Sequence, residues 1–292
     1  FVLALIYSGG VSQRWPDIRL MGVLNRIALC YLFASLIFLN VRWKGIVAIT
    51  AGLLVGYWAL MTFVPFPDLR PRTATGELVS QTLTATNTAQ LNWSSTNTLC
   101  GVFDKGVNLA NYVDQKYLPG RKWDGTWDPE GILRTIPAVG TCLLGVLAGL
   151  LIRNRRLSEQ RKVLILAGAG MACLAAGWLW SLQFPVIKKI WTSSYVLVAG
   201  GWSALLFAAF HQVIEIWQWR RWTTPFLWIG ANAITLYLAN NFVNPARLAQ
   251  RFAGGDVKHF IDTTVGEGAG ELVIVLVALS LMLLLERFLY QR

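Results

Sequence analysis

Long apolar runs alternate along the chain with short polar breaks. Seven of these runs are about the length an α-helix needs to cross a bilayer: Leu20–Val41, Gly45–Val64, Ile132–Ile152, Val163–Leu182, Thr192–Trp217, Thr223–Val243 and Ala269–Tyr290. Phe1–Gly9 is apolar as well but less than half that length, without the charged start or cleavage site of a signal peptide. It reads as the end of a helix whose earlier part is absent. The pattern predicts an all-α, polytopic transmembrane bundle of seven full spans plus a partial N-terminal one. Residues 1–292 form a single membrane domain, with 65–131 as one large outer-loop insertion.

Composition supports that class. The 292 residues are 55% hydrophobic and only 14% charged, whereas a soluble chain of this size exposes far more charge. The net charge of +11 raises a nucleic-acid reading, which its distribution removes. Arg42, Lys44, Arg153, Arg155, Arg156, Arg161, Lys162, Arg220, Arg221, Arg287 and Arg292 cluster at alternate span ends, the positive-inside signature. Those ends face the cytoplasm, and 10–19, 65–131, 183–191 and 244–268 face outward. The expected surroundings are a lipid bilayer, with no nucleic acid.

The insertion has two halves. Arg70–Ser95 is rich in Thr, Ser and Asn without helical period and reads as an irregular loop. Gly101–Gly131 interleaves Phe103, Tyr112, Tyr117, Trp123 and Trp127 with five carboxylates, and Val107–Leu118 reads as a short surface helix ended by Pro119-Gly120. Such a surface is either an interfacial aromatic belt or a lid and saccharide platform. Asn92-Trp93-Ser94 has the form of a glycosylation acceptor.

Polar groups inside apolar runs are the candidates for chemistry, because they are costly there. Asn25 and Arg26 lie inside the first full span. Asp128, Glu130 and Arg134 stand where Asp128-Pro129-Glu130 opens the third. The carboxylates suit a helix N-terminus. The arginines either snorkel with Asp17, Asp128 or Glu130 as partners, or clamp a phosphate or carboxylate. Lys188, Trp191, Ser194 and Tyr195 crowd the outer start of the fifth span, and Asn232 lies within the sixth. His211 and Glu215, spaced i,i+4, are either an acid/base couple or structural partners of Arg220 and Arg221. His259 is a loop histidine. Gly168, Gly170, Gly177, Gly200 and Gly201 suggest close helix packing. No internal repeat, nucleophile elbow, phosphate loop or zinc motif occurs. The four cysteines, Cys30, Cys100, Cys142 and Cys173, give no metal-ligand spacing, so no metal is expected.

Four stretches in order, IRLMGVLNRIALCY (Ile18–Tyr31), Leu109–Gly149 around WDPEGILRTIP, PVIKKIWTSSYVL (Pro185–Leu197) and TPFLWIGANAITLYL (Thr224–Leu238), resemble the membrane-bound heparan-α-glucosaminide N-acetyltransferase family, which has many bacterial relatives. The resemblance implies a transmembrane acyltransferase that takes acetyl from cytoplasmic acetyl-CoA and delivers it to a glucosamine or glycan amine on the outer side. It places the assisting histidine in a segment before the matched part and gives that role to neither His211 nor His259. Arg26 and Arg134 would hold acidic groups of coenzyme A or substrate, with Lys188, Ser194, Tyr195 and Asn232 lining the cavity. Ile187 stands where the family has Asn, and Met21 where it has Pro. A bacterial inner membrane is the expected location. Trp- and Gly-rich faces serve either a homodimer or internal packing. The readings kept beside this one are a transporter or channel for a small anion, and an inactive membrane scaffold.

Overall fold

The computed structural model describes residues 1–73, 77–78, 80 and 87–291. It is mostly helical, with twelve α-helices among the described residues. They fall into two compact units, Phe1–Ile216 and Trp217–Arg292.

In the first unit a short α1 (Val2–Tyr7) precedes five long helices, α2 (Val23–Asn40), α3 (Trp43–Phe63), α5 (Thr135–Arg153), α6 (Glu159–Trp180) and α7 (Ser193–His211). Between α3 and α5 lies the 65–131 segment, which contains α4 (Leu109–Tyr117). α2, α3, α5, α6, and α7 with its π-helical extension to Ile216, are long and apolar enough to cross a membrane. Their surfaces carry exposed Leu39, Leu164, Leu179 and Leu206, as suits lipid contact. The chain turns tightly at one end, where Val41 and Arg42 are extended between α2 and α3. At the other end the starts of α2, α5 and α7 and the ends of α3 and α6 meet the 65–131 segment.

Two apolar clusters hold these helices. Cys30, Ala34, Ile46, Ala138, Val139 and Leu143 join α2, α3 and α5 at mid-length. Tyr57, Met61, Phe66, Leu109, Ala110, Phe184 and Ile190 join the loop end of α3 to α4 and to the α6–α7 connection. α6 and α7 approach closely because Gly170, Gly177 and Gly201 leave no side chain between them; a Cβ on Gly201 would lie 2.7 Å from the Gly170 carbonyl oxygen. Gly168, expected at the same kind of contact, instead faces open space.

The loop segment follows its sequence in part. A two-residue antiparallel pair, β1 (Phe66–Pro67) with β2 (Thr98–Leu99), closes its base. The irregular stretch expected over Arg70–Ser95 lies partly outside the described residues. The helix expected at Val107–Leu118 is α4, capped by the Asn108 side chain, which accepts the Asn111 N–H at 2.9 Å. It is no surface helix: Leu109, Ala110, Asn111, Asp114 and Gln115 are buried. Gly120 then turns with φ +78°, and a Cβ there would collide with the Ile18 carbonyl. The strap before α2 is thereby pinned, with Arg19 bridged to Gly120.

The second unit contains α8 (Thr224–Ala231), α9 (Ala233–Phe242), α10 (Pro245–Ala253), α11 (Asp256–Thr264) and α12 (Ala269–Gln291). Ala249, Ala253 and Ile274 form its core. Among the described residues only α12 is long and apolar enough here to span, so six of the described helices meet that description. The span expected at Thr223–Val243 is two short helices that break at Asn232 (φ −123°, ψ 26°). Gly230 and Asn232 are both poor helix formers, and Asn competes for local backbone hydrogen bonds. The expected loop over 244–268 instead folds into α10 and α11.

Candidate functional site

At the loop end of the first unit, three arginines from three elements converge on the turn Asp128-Pro129-Glu130. Each guanidinium lies against a different tryptophan: Arg19 against Trp123 at 5.0 Å, Arg26 against Trp191 at 4.0 Å, Arg134 against Trp127 at 5.2 Å. A planar cation on a ring face is held in place without losing its N–H groups.

Arg19, on the strap, donates to both oxygens of Asp128 at 2.7 Å and to Glu130 Oε2 at 2.8 Å. Asp128 also accepts the Trp123 and Glu130 backbone N–H groups, each at 3.0 Å. Burial opposes its ionisation, but the Arg19 hydrogen bonds and charge outweigh that and hold Asp128 below its ordinary pKa. Glu130 moves the other way: burial, then the adjoining Asp128 carboxylate, push it up.

Arg134 is wholly enclosed, at 0% exposure. It donates to Asp114 and Asn111 on α4 and to the Asp128 carbonyl at 2.8 Å. Asp114 in turn accepts the N–H of Ile132 at 3.0 Å and of Asp128 at 3.4 Å. Gly131 is required here, because a Cβ on it would occupy the position of the Asp114 carboxylate. The partner of Arg134 is thus Asp114, not Asp17, Asp128 or Glu130 through their side chains. Its two terminal nitrogens are spent on the scaffold, joining α4 to the start of α5, while its Nε has no partner among the described residues.

Arg26 is bound differently. Its only hydrogen bond among the described residues goes to the Pro129 carbonyl at 3.3 Å, and Glu130 Oε1 stands 3.7 Å away. Beside it on α2, Asn25 is 1% exposed, and neither amide atom has a hydrogen-bond partner among the described residues. A buried, unbonded amide costs about 1–3 kcal/mol. Trp191 completes this corner. It sits at φ +53°, donates its indole N–H to Thr141 Oγ1 at 3.1 Å, and meets Tyr195 edge-on at 5.2 Å. Arg26, Glu130, Trp191 and Tyr195 are therefore brought together, with Asn25 preceding Arg26 on α2.

Other sequence candidates fall elsewhere. The Ser194 hydroxyl oxygen lies 2.5 Å from the Phe184 carbonyl, to which it donates, and 3.1 Å from both the Pro185 carbonyl and Thr192 Oγ1, so it shapes the turn into α7. Lys188 is exposed and makes no ion pair among the described residues, whereas Lys189 pairs with Asp124 at 2.7 Å. Asn232 belongs to the second unit, at the α8–α9 break. His211 bonds Glu159 of α6 at 2.8 Å, with Lys162 on the other carboxylate oxygen, also at 2.8 Å. That contact between helices is invisible to the i,i+4 spacing that pointed to Glu215. Arg19, Asp114 and Asn111 were not singled out from sequence. Arg19 had one available signal, its place two residues after Asp17 at the mouth of an apolar run.

Fold and site define a helical integral-membrane protein with a buried ionic cap at the loop end of its first unit. No family model matches the chain. It is similar to heparan-alpha-glucosaminide N-acetyltransferase of Mus musculus, 27% identical over 125 residues that make up 39% of this chain and 18% of that protein. It is similar to the Homo sapiens protein of the same name, 27% identical over 123 residues with the same shares. The match thus spans less than a fifth of the length of these relatives. These likenesses support a distant relationship to that family, and with the spanning helices they fit a membrane acyltransferase.

Proposed function

We propose that the protein is a membrane N-acetyltransferase that passes an acetyl group from acetyl-CoA, on the cytoplasmic side, to the amine of an amino sugar or glycan on the outer side. The 65–131 segment then lies outside, in a bacterium on the periplasmic face of the inner membrane. The carrying observation is the corner formed by Asn25 and Arg26. It holds, on α2, an amide with neither atom bonded and a guanidinium with N–H groups to spare; elsewhere in the cap Arg134 Nε and Asn111 Nδ2 also lack partners among the described residues, but both residues are wholly enclosed.

This donor set suits oxygens of an acyl carbonyl or a phosphate. Acetyl-CoA, when bound, supplies a thioester carbonyl that the amine nitrogen attacks; the C–S bond breaks as the C–N bond forms, and coenzyme A departs as the thiol. The amine's proton passes to a base, which the family resemblance places before the matched stretches. Arg26, fixed on Trp191, would orient an acidic or carbonyl group. Asn25 would donate to an oxygen that gains charge, and the Trp191–Tyr195 pair would form an apolar wall that excludes water. Arg134, Asp114 and Asn111 hold the frame.

A transporter moving a small anion past two arginines finds less support, since Arg134 is wholly enclosed and both its terminal nitrogens are already bonded. The test is acetyl-CoA binding and acetyl transfer to glucosamine by the full-length protein in detergent, beside Arg26→Ala. Saturable binding with product, both reduced at least about tenfold in the variant, supports the enzyme, since one charge-assisted contact contributes about that much. Binding of anions without product favours the transporter, and neither binding nor product favours the scaffold.

A further inference from the structure

We propose that Glu130 is a built-in counter-ion for Arg26, occupying the place that the acidic group of a bound ligand takes. This rests on the reading of Arg26 as a ligand-holding residue and adds what fills its place before the ligand arrives.

The geometry is unequal. Glu130 is 2.8 Å from Arg19 but 3.7 Å from Arg26, so it has a full partner to retain when Arg26 is taken. Arg19 is anchored independently through both oxygens of Asp128 and against Trp123. Arg26 keeps its position without Glu130, through Trp191 and the Pro129 carbonyl. The two side chains retain 10% and 14% exposure, whereas Arg134 and Asp114 retain none. This is the one ion pair of the cap that is both stretched and reachable. The charges around Glu130 are Arg19 from the strap, Arg26 from α2 and Asp128 from its own turn. Arg19 and Arg26 balance Asp128 and Glu130, and Lys122 adds one positive charge beside Asp128, so charge alone does not select among small anions. Specificity falls instead to an oxyanion that can bond Arg26 at full hydrogen-bond distance and reach the Asn25 amide, which Glu130 does not. A carboxylate tethered at 3.7 Å keeps Arg26 from binding every small anion, yet costs a well-fitting ligand little.

The ligand's oxyanion lies on the outer side with the cap, as either the phosphate of a phosphorylated amino sugar or the carboxylate of an acidic sugar. Glucosamine 6-phosphate and glucuronate are therefore titrated separately into the full-length protein in detergent. Replacing Glu130 by Gln removes the competing charge, and Glu130→Asp draws it back by one methylene. Both variants are expected to bind one of the two probes more tightly, by roughly two- to fivefold for Glu130→Gln, the scale of a partly exposed ion pair. Arg26→Lys is expected to bind it more weakly. A residue that only stabilises the fold would not give a gain in affinity. Equal or weaker binding of both probes in whichever Glu130 variant elutes as a folded protein overturns the proposal. Acetyl transfer by the wild type, measured alongside, separates the two readings. Transfer without tightening removes the counter-ion and leaves the enzyme. Tightening without transfer does the reverse.

Discussion

Asp114→Asn is the perturbation that bears hardest on the scaffold. It keeps the shape of the side chain and removes its charge, leaving the Arg134 guanidinium at 0% exposure without a counter-ion. It also turns one acceptor oxygen into a donor, facing the N–H groups of Ile132 and Asp128 that Asp114 now accepts. Removing one member of a buried ion pair costs about 3–5 kcal/mol. At about 2–4 °C per kcal/mol for a unit of this size, Tm should fall by roughly 6–20 °C. The assay is thermal unfolding in detergent, followed by the soluble monodisperse fraction after heating. Arg134→Met should lose a comparable amount, because Asp114 is then the stranded charge. The double variant should lose less than the sum of the two, with a coupling of about 1–3 kcal/mol. A single-variant loss below about 2 °C, or strict additivity in the double, would falsify the pairing of Arg134 with Asp114.

Further outcomes follow from the same cap. Asn25→Leu should hold or raise Tm, since an unbonded buried amide gives way to an apolar group at a saving of about 1–3 kcal/mol, while acetyl-CoA binding and acetyl transfer fall; a loss of stability instead would mean that the amide is bonded in the fold. Gly120→Ala should lower Tm, because φ +78° and the Ile18 carbonyl leave no room for a Cβ; strain of about 1–3 kcal/mol is the expected scale, read by thermal unfolding. Asp128→Asn tests pH linkage. The folded Asp128 has a lowered pKa, so its contribution is full above the unfolded value of about 4 and lost as pH falls through the folded one. The variant should be less stable than wild type at pH 7, and the gap should narrow as pH falls below about 4; a gap that does not change with pH would refute the assignment.

Much of the helical frame was legible because crossing a bilayer demands long apolar runs, and α2, α3, α5, α6, α7 and α12 answer that demand within a few residues of the expected bounds. The failure at Thr223–Val243 has a local origin. Hydropathy sums over a window and is blind to the backbone consequences of Gly230 and Asn232, which divide an apolar run into two helices. The helices over 244–268 were missed for the opposite reason: α10 and α11 are too polar to register as spans. In the site, Asn25, Arg26 and Glu130 were visible as polar groups in costly positions. Glu130 was also legible as a partner for Arg26, and it stands 3.7 Å away, whereas the pairings of Arg19 with Asp128, 109 residues apart, and of Arg134 with Asp114, 20 apart, were not legible. Contacts across such separations leave no periodic trace. Glu286 on α12 is legible as an intramembrane acid, yet its two buried oxygens have no partner among the described residues, and nothing in the second unit explains it.

The distinction that matters in the cap is between ionic groups that satisfy one another and those left over. Arg134, Asp114, Asn111 and the Asp128 carbonyl close a loop of bonds, and Arg19 closes another with Asp128 and Glu130. Polar groups enclosed in this way fix α4, the strap and the start of α5 relative to each other; an incoming ligand would gain from them only by breaking bonds already made. Arg134 Nε and Asn111 Nδ2 also lack partners among the described residues, but they are sealed at 0% exposure, which leaves Asn25 and Arg26, the latter 8% exposed, as the remainder nearest to a ligand. Their unmet bonding capacity destabilises the fold, at the point where the rest of the cap makes the backbone rigid. A ligand oxygen that bonds there recovers a cost already carried by the folded protein, so binding gains directly from what folding left unpaid. Sites assembled from paired charges hold a fold, while the unpaired donor beside them is where recognition belongs. That is why Arg26, despite its modest place among the three arginines, carries the functional assignment, and why Arg134, the most deeply buried of them, does not.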